Sequence, residues 1–376
     1  MAKKDAPKSS KKRTIGKIIG RGCAIIFSTI FMLFLILYGS MWIFCHGPST
    51  AARDLFVSTM METGALKFLT KWYFSKEEIL EITNKNSMGK LEGDVDTSLI
   101  QIDPDKNTDE DDDDDDTELG YEDNFDENGI EIFTVTGRTY MGKVMIVKDP
   151  SKVSVGTIYP WSSFSKEKYG STLDNLVKDN GAIAGVNGGE YCSDGNWGGR
   201  PKGLVVSNGD IQFNEPQSGD VMVGFNKDNI LVIKEIGDMS AAQVEDYVRK
   251  NNIRDAVSFK DVVGQDDNHF TKLILNNQPV PLNGAGSGAN PRTVIGQRKD
   301  GAVILFVTDG RGHESHLGAT AADLIGVLQE YGAVNAANID GGSSSSMYYN
   351  GKYEMTSVTL YYSTSSWRLP TGFVVK

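Results

Sequence analysis

From Gly22 to Cys45 the chain runs for 24 residues without a charge, dominated by Ile, Leu, Phe and Met. A helix of that length rises about 36 Å, enough to span the roughly 30 Å of a bilayer's hydrocarbon core. A signal-peptide core is shorter, about 7–15 apolar residues, so the pattern predicts a retained transmembrane helix over 22–45. Between Thr50 and Asn86, apolar residues such as Leu55, Met60, Leu66 and Leu69 recur with helical spacing, and Ser75-Lys76-Glu77-Glu78 has the form of a helix-starting capping box. Residues 46–100 are therefore expected to form a helical stalk.

Beyond Ile130 the apolar runs become short. Strands are predicted over 131–135, 143–147, 153–158, 182–186, 203–207, 221–225 and 230–233, with helices over 172–178 and 240–250. The last unit is the most legible. Ala302–Thr308 reads as a buried strand ending at Asp309-Gly310-Arg311. Thr320 to Asp323 forms a capping box, Leu324, Ile325, Leu328 and Tyr331 share a helix face, and Gly332 closes the helix. Val334–Ile339 is a second strand, ending at Asp340-Gly341-Gly342. A right-handed crossover points both strands the same way and opens their turns on one sheet edge. Asn187-Gly188-Gly189 is expected to join them. The fold class that follows is mixed α/β (α+β): one globular domain with a mixed sheet, preceded by the N-terminal transmembrane helix.

Charge and cysteine usage place this domain. Eight Lys and Arg against one Asp precede the apolar helix, so residues 1–21 are expected in the cytoplasm and everything after residue 45 outside. The whole chain carries −12, which makes nucleic acid an improbable partner. The lipid bilayer is engaged through residues 22–45. Acidic residues fill 109–116 without a break, so 101–129 is expected to be a self-repelling, disordered linker, with weak calcium binding as the lesser alternative. Only Cys192 of the three cysteines lies beyond the apolar helix, and no N-x-Ser/Thr acceptor occurs. Both point to a bacterial surface protein of Gram-positive type.

Candidate chemistry gathers at the glycine-rich turns. Glycines there admit close backbone approach and offer N–H groups to anionic oxygens, while aspartates supply charge, proton transfer or metal ligation. Arg292 and Arg311 are suited to clamping a phosphate. His313, Glu314 and His316 have a spacing that admits a metal, although substrate contact or plain surface is the more common role. Asp309, Asp340, Glu190 and His313 together would suit a metal-dependent phosphodiesterase holding calcium or magnesium. A non-catalytic module for anionic wall polysaccharide is a further alternative.

The ordered set Gly181–Gly189, Asn290-Pro291-Arg292-Thr293 to Gly296, Val307–Arg311, Gly318–Leu324 and Asn335–Ser343 resembles the phosphodiester glycosidase family. The resemblance covers about residues 140–376, and residues 130–376 are taken as the catalytic domain. It implies removal of a sugar such as N-acetylglucosamine from a sugar-1-phosphodiester, here in a surface glycopolymer or phosphoglycan. Glycosidases commonly pair two carboxyls. Asp340 and Asp309 are the leading candidates, with Glu190 third. Asn187, Gly188, Gly189, Arg292, Thr293, Arg311, His313, Asn338, Gly341, Gly342 and Ser343 are the candidate substrate contacts.

Overall fold

A computed structural model describes residues 9–63, 66–102, 124–161, 169–193, 197–263, 268–311, 315–357 and 365–376. The chain divides into two compact units, Met1–Asp54 and Leu55–Lys376. The first contains helix α1 (Ser9–His46), of which Lys17–His46 is long and apolar enough to cross a membrane, with a mean hydropathy of 2.2 in its most apolar stretch, none of which is buried. A signal sequence shares those properties.

The second unit is built on three sheets. The largest has seven strands in the order Ile130–Thr136, Met141–Val147, Val303–Thr308, Thr293–Arg298, Ala333–Ile339, Lys272–Leu275 and Gln278–Pro279. A five-stranded sheet runs Lys352–Thr356, Ser346–Tyr349, Ala184–Asn187, Thr371–Val375, Val153–Thr157. Another runs Asp210–Glu215, Gly203–Ser207, Ile253–Lys260, Asp220–Asn226, Leu231–Glu235. The mixed α/β class is as expected, but the recorded pairings in these sheets are antiparallel. Val303–Thr308 and Ala333–Ile339 do point the same way, because each pairs antiparallel with Thr293–Arg298 between them. The crossover therefore skips one strand, where a mixed sheet would have made the two direct partners.

Inward-facing Met145, Val155, Val186, Val223, Phe225, Ile295, Leu305 and Phe373 form one core shared by all three sheets. Each sheet's outer face is covered by an amphipathic helix. Leu324 and Leu328 of α7 (Ala321–Glu330) pack on Val294, Ile304 and Phe306. Val244 and Val248 of α6 (Ala241–Lys250) pack on Leu204 and Met222, and Leu173 and Val177 of α5 (Leu173–Asp179) on Tyr348 and Val374. Capping boxes at Ser240 and Thr320 start α6 and α7, the second as the sequence indicated.

Two expectations about the segment before Ile130 require correction. The predicted stalk does not stand apart from the domain. Helices α2 (Thr50–Glu62), α3 (Lys67–Tyr73) and α4 (Lys76–Lys85) lead into an extended run on the domain surface. Val57, Met61, Phe74, Ile79, Ile82 and Ile100 are buried. Ala289 N–H donates to the Thr59 hydroxyl (3.1 Å), Gly89 N–H to the Pro281 carbonyl (2.7 Å) and Gln101 N–H to the Lys299 carbonyl (2.7 Å). Apolar residues read as a stalk's own helix face are core contacts. Nor is 101–129 a linker between two bodies. Residues 103–123 lie outside the described residues, but both flanks belong to the same unit: Ile102 sits against Gly301, and Asn124 N–H donates to Glu131 (2.7 Å).

Candidate functional site

Sheet register brings the predicted turns together. Thr293 is opposite Val307 on one side and Ile339 on the other. Arg292 therefore emerges between the strand ends that carry Asp309 and Asp340. Asn187, at the end of its strand in a different sheet, ties the junction: its amide donates to the Asp340 carbonyl (2.6 Å), and its Oδ1 accepts from the Thr293 hydroxyl (2.7 Å) and Ser346 N–H (3.2 Å).

Above this junction lies a pocket of about 270 Å³. Its polar lining includes Glu62, His269, Asn290, Arg292, Arg311, Asn338, Asp340 and the turn Gly341–Ser344, with Tyr191, Phe259 and Trp367 as aromatic wall. Burial raises the Asp340 carboxyl to about 7, Glu190 pushing the same way while the Ser344 hydroxyl, Gly341 N–H and Arg311 act against it. Such a carboxyl changes protonation near neutral pH, as acid–base or nucleophilic work requires.

Two arginines face it. Arg292 is 7% exposed, and its guanidinium stacks 4.6 Å from the Phe270 ring centre. Nη2 donates to Glu62, the Gly288 carbonyl (3.1 Å) and more distantly Ser287, while the buried Nε has no partner among the described residues. Arg311 adopts the left-handed φ of +57°, which costs a non-glycine residue about 1–2 kcal/mol. Its Nη1 donates to Ser343 Oγ (2.6 Å). Gly342, with φ +60°, makes room for it, since a Cβ there would come within 2.6 Å of Arg311 Nη2. Two guanidiniums with open donors suit an anionic oxygen cluster. The aromatic wall suits the apolar face of a sugar ring, and the unpartnered buried Asn338 Oδ1 suits a hydroxyl or amide donor.

The sequence-predicted residues divide into two groups. Arg292, Arg311, Asn338, Asp340, Gly341, Gly342 and Ser343 meet in the pocket. Asp309, Glu190, Asn187, Gly188, Gly189 and Thr293 are absent from its lining. Asp309 is 1% exposed and accepts from Met141 N–H (2.8 Å) and pairs with His316 Nδ1 (2.7 Å), so it braces the junction instead of facing a ligand. Glu190 pairs with Lys202 at 2.9 Å, and Lys260 lies at 3.9 Å. Asn187 and Thr293 hold each other. Gly188 and Gly189 permit close packing, since a Cβ would come within 2.4 Å of the Thr371 hydroxyl and 2.6 Å of the Ser258 carbonyl respectively. His313 lies outside the described residues. Among the described residues no group of three His, Cys, Asp or Glu side chains is placed to hold a metal ion.

Glu62 was missed. It closes α2, its Oε1 accepts from Gly288 N–H (2.6 Å), and its Oε2 forms an ion pair with Arg292 whose partners are 3% and 8% exposed. Burial raises its proton affinity, against the pull of Arg292 and the Gly288 N–H. Its position more than 100 residues from every other site motif hid it, and a carboxylate ending a helix carries no local mark. Asn290 was within reach, inside the Asn-Pro-Arg run already singled out.

This fold and site belong to a glycosidase-type hydrolase. The phosphodiester glycosidase family model matches residues 180–376, more than half of the chain, and the protein belongs to that family. Among solved structures, it is similar to the zebrafish N-acetylglucosamine-1-phosphodiester alpha-N-acetylglucosaminidase catalytic domain, described as auto-inhibited by its pro-peptide. That match has a TM-score of 0.45 and 22% identity, over 65% of this chain and 81% of that one. A hypothetical protein from Synechocystis matches with a TM-score of 0.42 and 15% identity, over 66% of this chain and 62% of the other. A putative exported protein from Burkholderia pseudomallei K96243 gives 0.39 and 12%, over 63% and 74%. The SPbeta prophage-derived uncharacterized protein YomE of Bacillus subtilis (strain 168) is 42% identical over 64 residues, 17% of this chain. The match spans only 10% of that curated relative's length.

Proposed function

We propose that the protein cleaves the anomeric C–O bond of a sugar-1-phosphodiester in a surface or envelope glycopolymer, from the outer face of a membrane that α1 crosses. An N-acetylglucosamine-like sugar leaves as the free sugar, with hydroxyl from water on C1, and the partner keeps a phosphomonoester. The observation that carries this reading is the presence in one pocket of Asp340, raised to about 7, with Arg292 and Arg311. A phosphate leaving group needs little protonation but gains from cationic donors, which the arginines and the Gly341–Ser343 turn supply. The ionised Asp340 carboxylate stabilises an oxocarbenium-like transition state or activates the attacking group.

The test is hydrolysis of a panel of sugar-1-phosphodiesters by the detergent-solubilised full chain in 18O-labelled water, with and without chelator. The anomeric oxygen of a free sugar exchanges with water in any case, whereas unlabelled phosphate supports glycosidic cleavage. Label in the phosphate overturns it and identifies a phosphodiesterase.

A further inference from the structure

Arg292 is committed on one side only. Glu62 and the Gly288 carbonyl hold Nη2, while Nε has no partner among the described residues, although the side chain is more than nine-tenths buried. A buried cation with a donor left over is built to receive an oxyanion. That oxyanion would not find an unopposed positive charge, because Glu62 lines the same pocket and is bonded to the same guanidinium. Whatever phosphate binds there sits one guanidinium width from a carboxylate.

We propose that Glu62 is a specificity-determining residue: it matches the anion site to the single negative charge of a phosphodiester and disfavours the doubly charged phosphomonoester. This deepens the proposed reaction and rests on it, since substrate and product differ by that charge. A second negative charge about 5 Å from a carboxylate at a partly buried site costs binding on a scale of roughly ten-fold or more. Glu62 would thus favour release of the phosphomonoester partner and limit its inhibition. The residue comes from α2, upstream of the matched family region, so this selectivity belongs to the chain's N-terminal extension.

The experiment measures binding of phenyl phosphate and methyl phenyl phosphate to the full chain in detergent at pH 8, for wild type and Glu62→Gln. The Gln keeps hydrogen-bonding atoms for Gly288 and Arg292 but not the charge. The expected result is a fall of about ten-fold or more in the monoester-to-diester Kd ratio. An unchanged ratio, or equal tightening of both ligands, overturns the assignment, the latter making Glu62 a plain competitor for Arg292. A second measurement needs no variant. The monoester loses its second proton near pH 6, so between pH 5 and 8 the wild-type ratio should rise. The diester keeps one charge and serves as the control for the charged and titratable groups facing the site, namely Arg292, Arg311, His269, Asp340 and Glu62 itself. A falling ratio overturns the proposal. Binding of neither ligand would overturn the phosphate reading itself, which keeps the two failures distinct.

Discussion

Replacing Arg292 by Met tests whether the end of α2 is truly bonded into the pocket. The side chains of Arg292 and Glu62 are 8% and 3% exposed, so removing either partner leaves an uncompensated buried charge. Breaking such a pair costs about 3–5 kcal/mol, whereas replacing both partners by apolar side chains is often close to neutral. Glu62 would retain only the Gly288 N–H, which places Arg292→Met within that range. A unit of this size has an unfolding entropy near 0.7 kcal/mol/K, so the loss appears as a Tm decrease of roughly 4–8 °C. Glu62→Met should lower Tm by less, because Arg292 keeps the Gly288 carbonyl and the Phe270 ring. The double variant should recover at least about 2 kcal/mol relative to the summed single effects. Differential scanning fluorimetry of the four detergent-solubilised proteins gives all corners of the cycle. Strictly additive shifts, or an Arg292→Met protein melting within about 1 °C of wild type, would refute the ion pair and with it the docking of α2.

Asp340→Asn should lower kcat by about a hundred-fold or more, and the wild-type rate should rise with pH through about 7 as the carboxyl ionises; a flat profile from pH 5 to 9 excludes that role. Because folding raises this carboxyl from 3.8 to about 7, the folded state holds the proton more tightly. The associated stability is present at low pH and lost between about pH 4 and pH 7, so Asp340→Asn should gain Tm relative to wild type on moving from pH 4 to pH 8. A chain beginning at Ile130 lacks six buried apolar side chains of the preceding segment, worth on the order of 10 kcal/mol. That is comparable with a domain's whole stability. It should aggregate, whereas a chain beginning at Thr50 should be monodisperse by gel filtration; a stable, active Ile130 chain would contradict the observed packing.

Many of the strands and all three helices after Ile130 were legible because each leaves a local mark, such as alternation, a short apolar run, a capping Ser or Thr or a closing Gly, but Ile253–Lys260, Thr293–Arg298 and Thr371–Val375 were not predicted. Convergence of the Asp309 and Asp340 turns was legible too, since the crossover rule fixes which sheet edge they share, whereas Asn187 reaches them from a different sheet. What each side chain faces was not. Asp309 and Asp340 occupy equivalent strand ends, yet one is locked to Met141 and His316 while the other opens on the pocket. Strand direction sets where the turns meet, but the facing of each side chain depends on partners far away in sequence. Glu62 was invisible for the same reason. Helical spacing shows that Leu55 to Leu69 has an apolar face but not what covers it, and a stalk and a docked helix share one pattern.

The acidic run has a topological consequence. Gln101 and Ile102 are held at Lys299 and Gly301, while Asp126 is bonded to Ile130 and Tyr349. A protease cutting between these two attachment points would nick the molecule without dividing it: two bands on a denaturing gel, one species in native chromatography, and Glu62 still seated beside Arg292. A cut at Gly47–Ser49 would instead break the chain between α1 and the Leu55–Lys376 unit, which carries every described pocket residue. Cleavage within the acidic run thus leaves both pieces in one folded unit, whereas cleavage at Gly47–Ser49 leaves the pocket residues on a single piece.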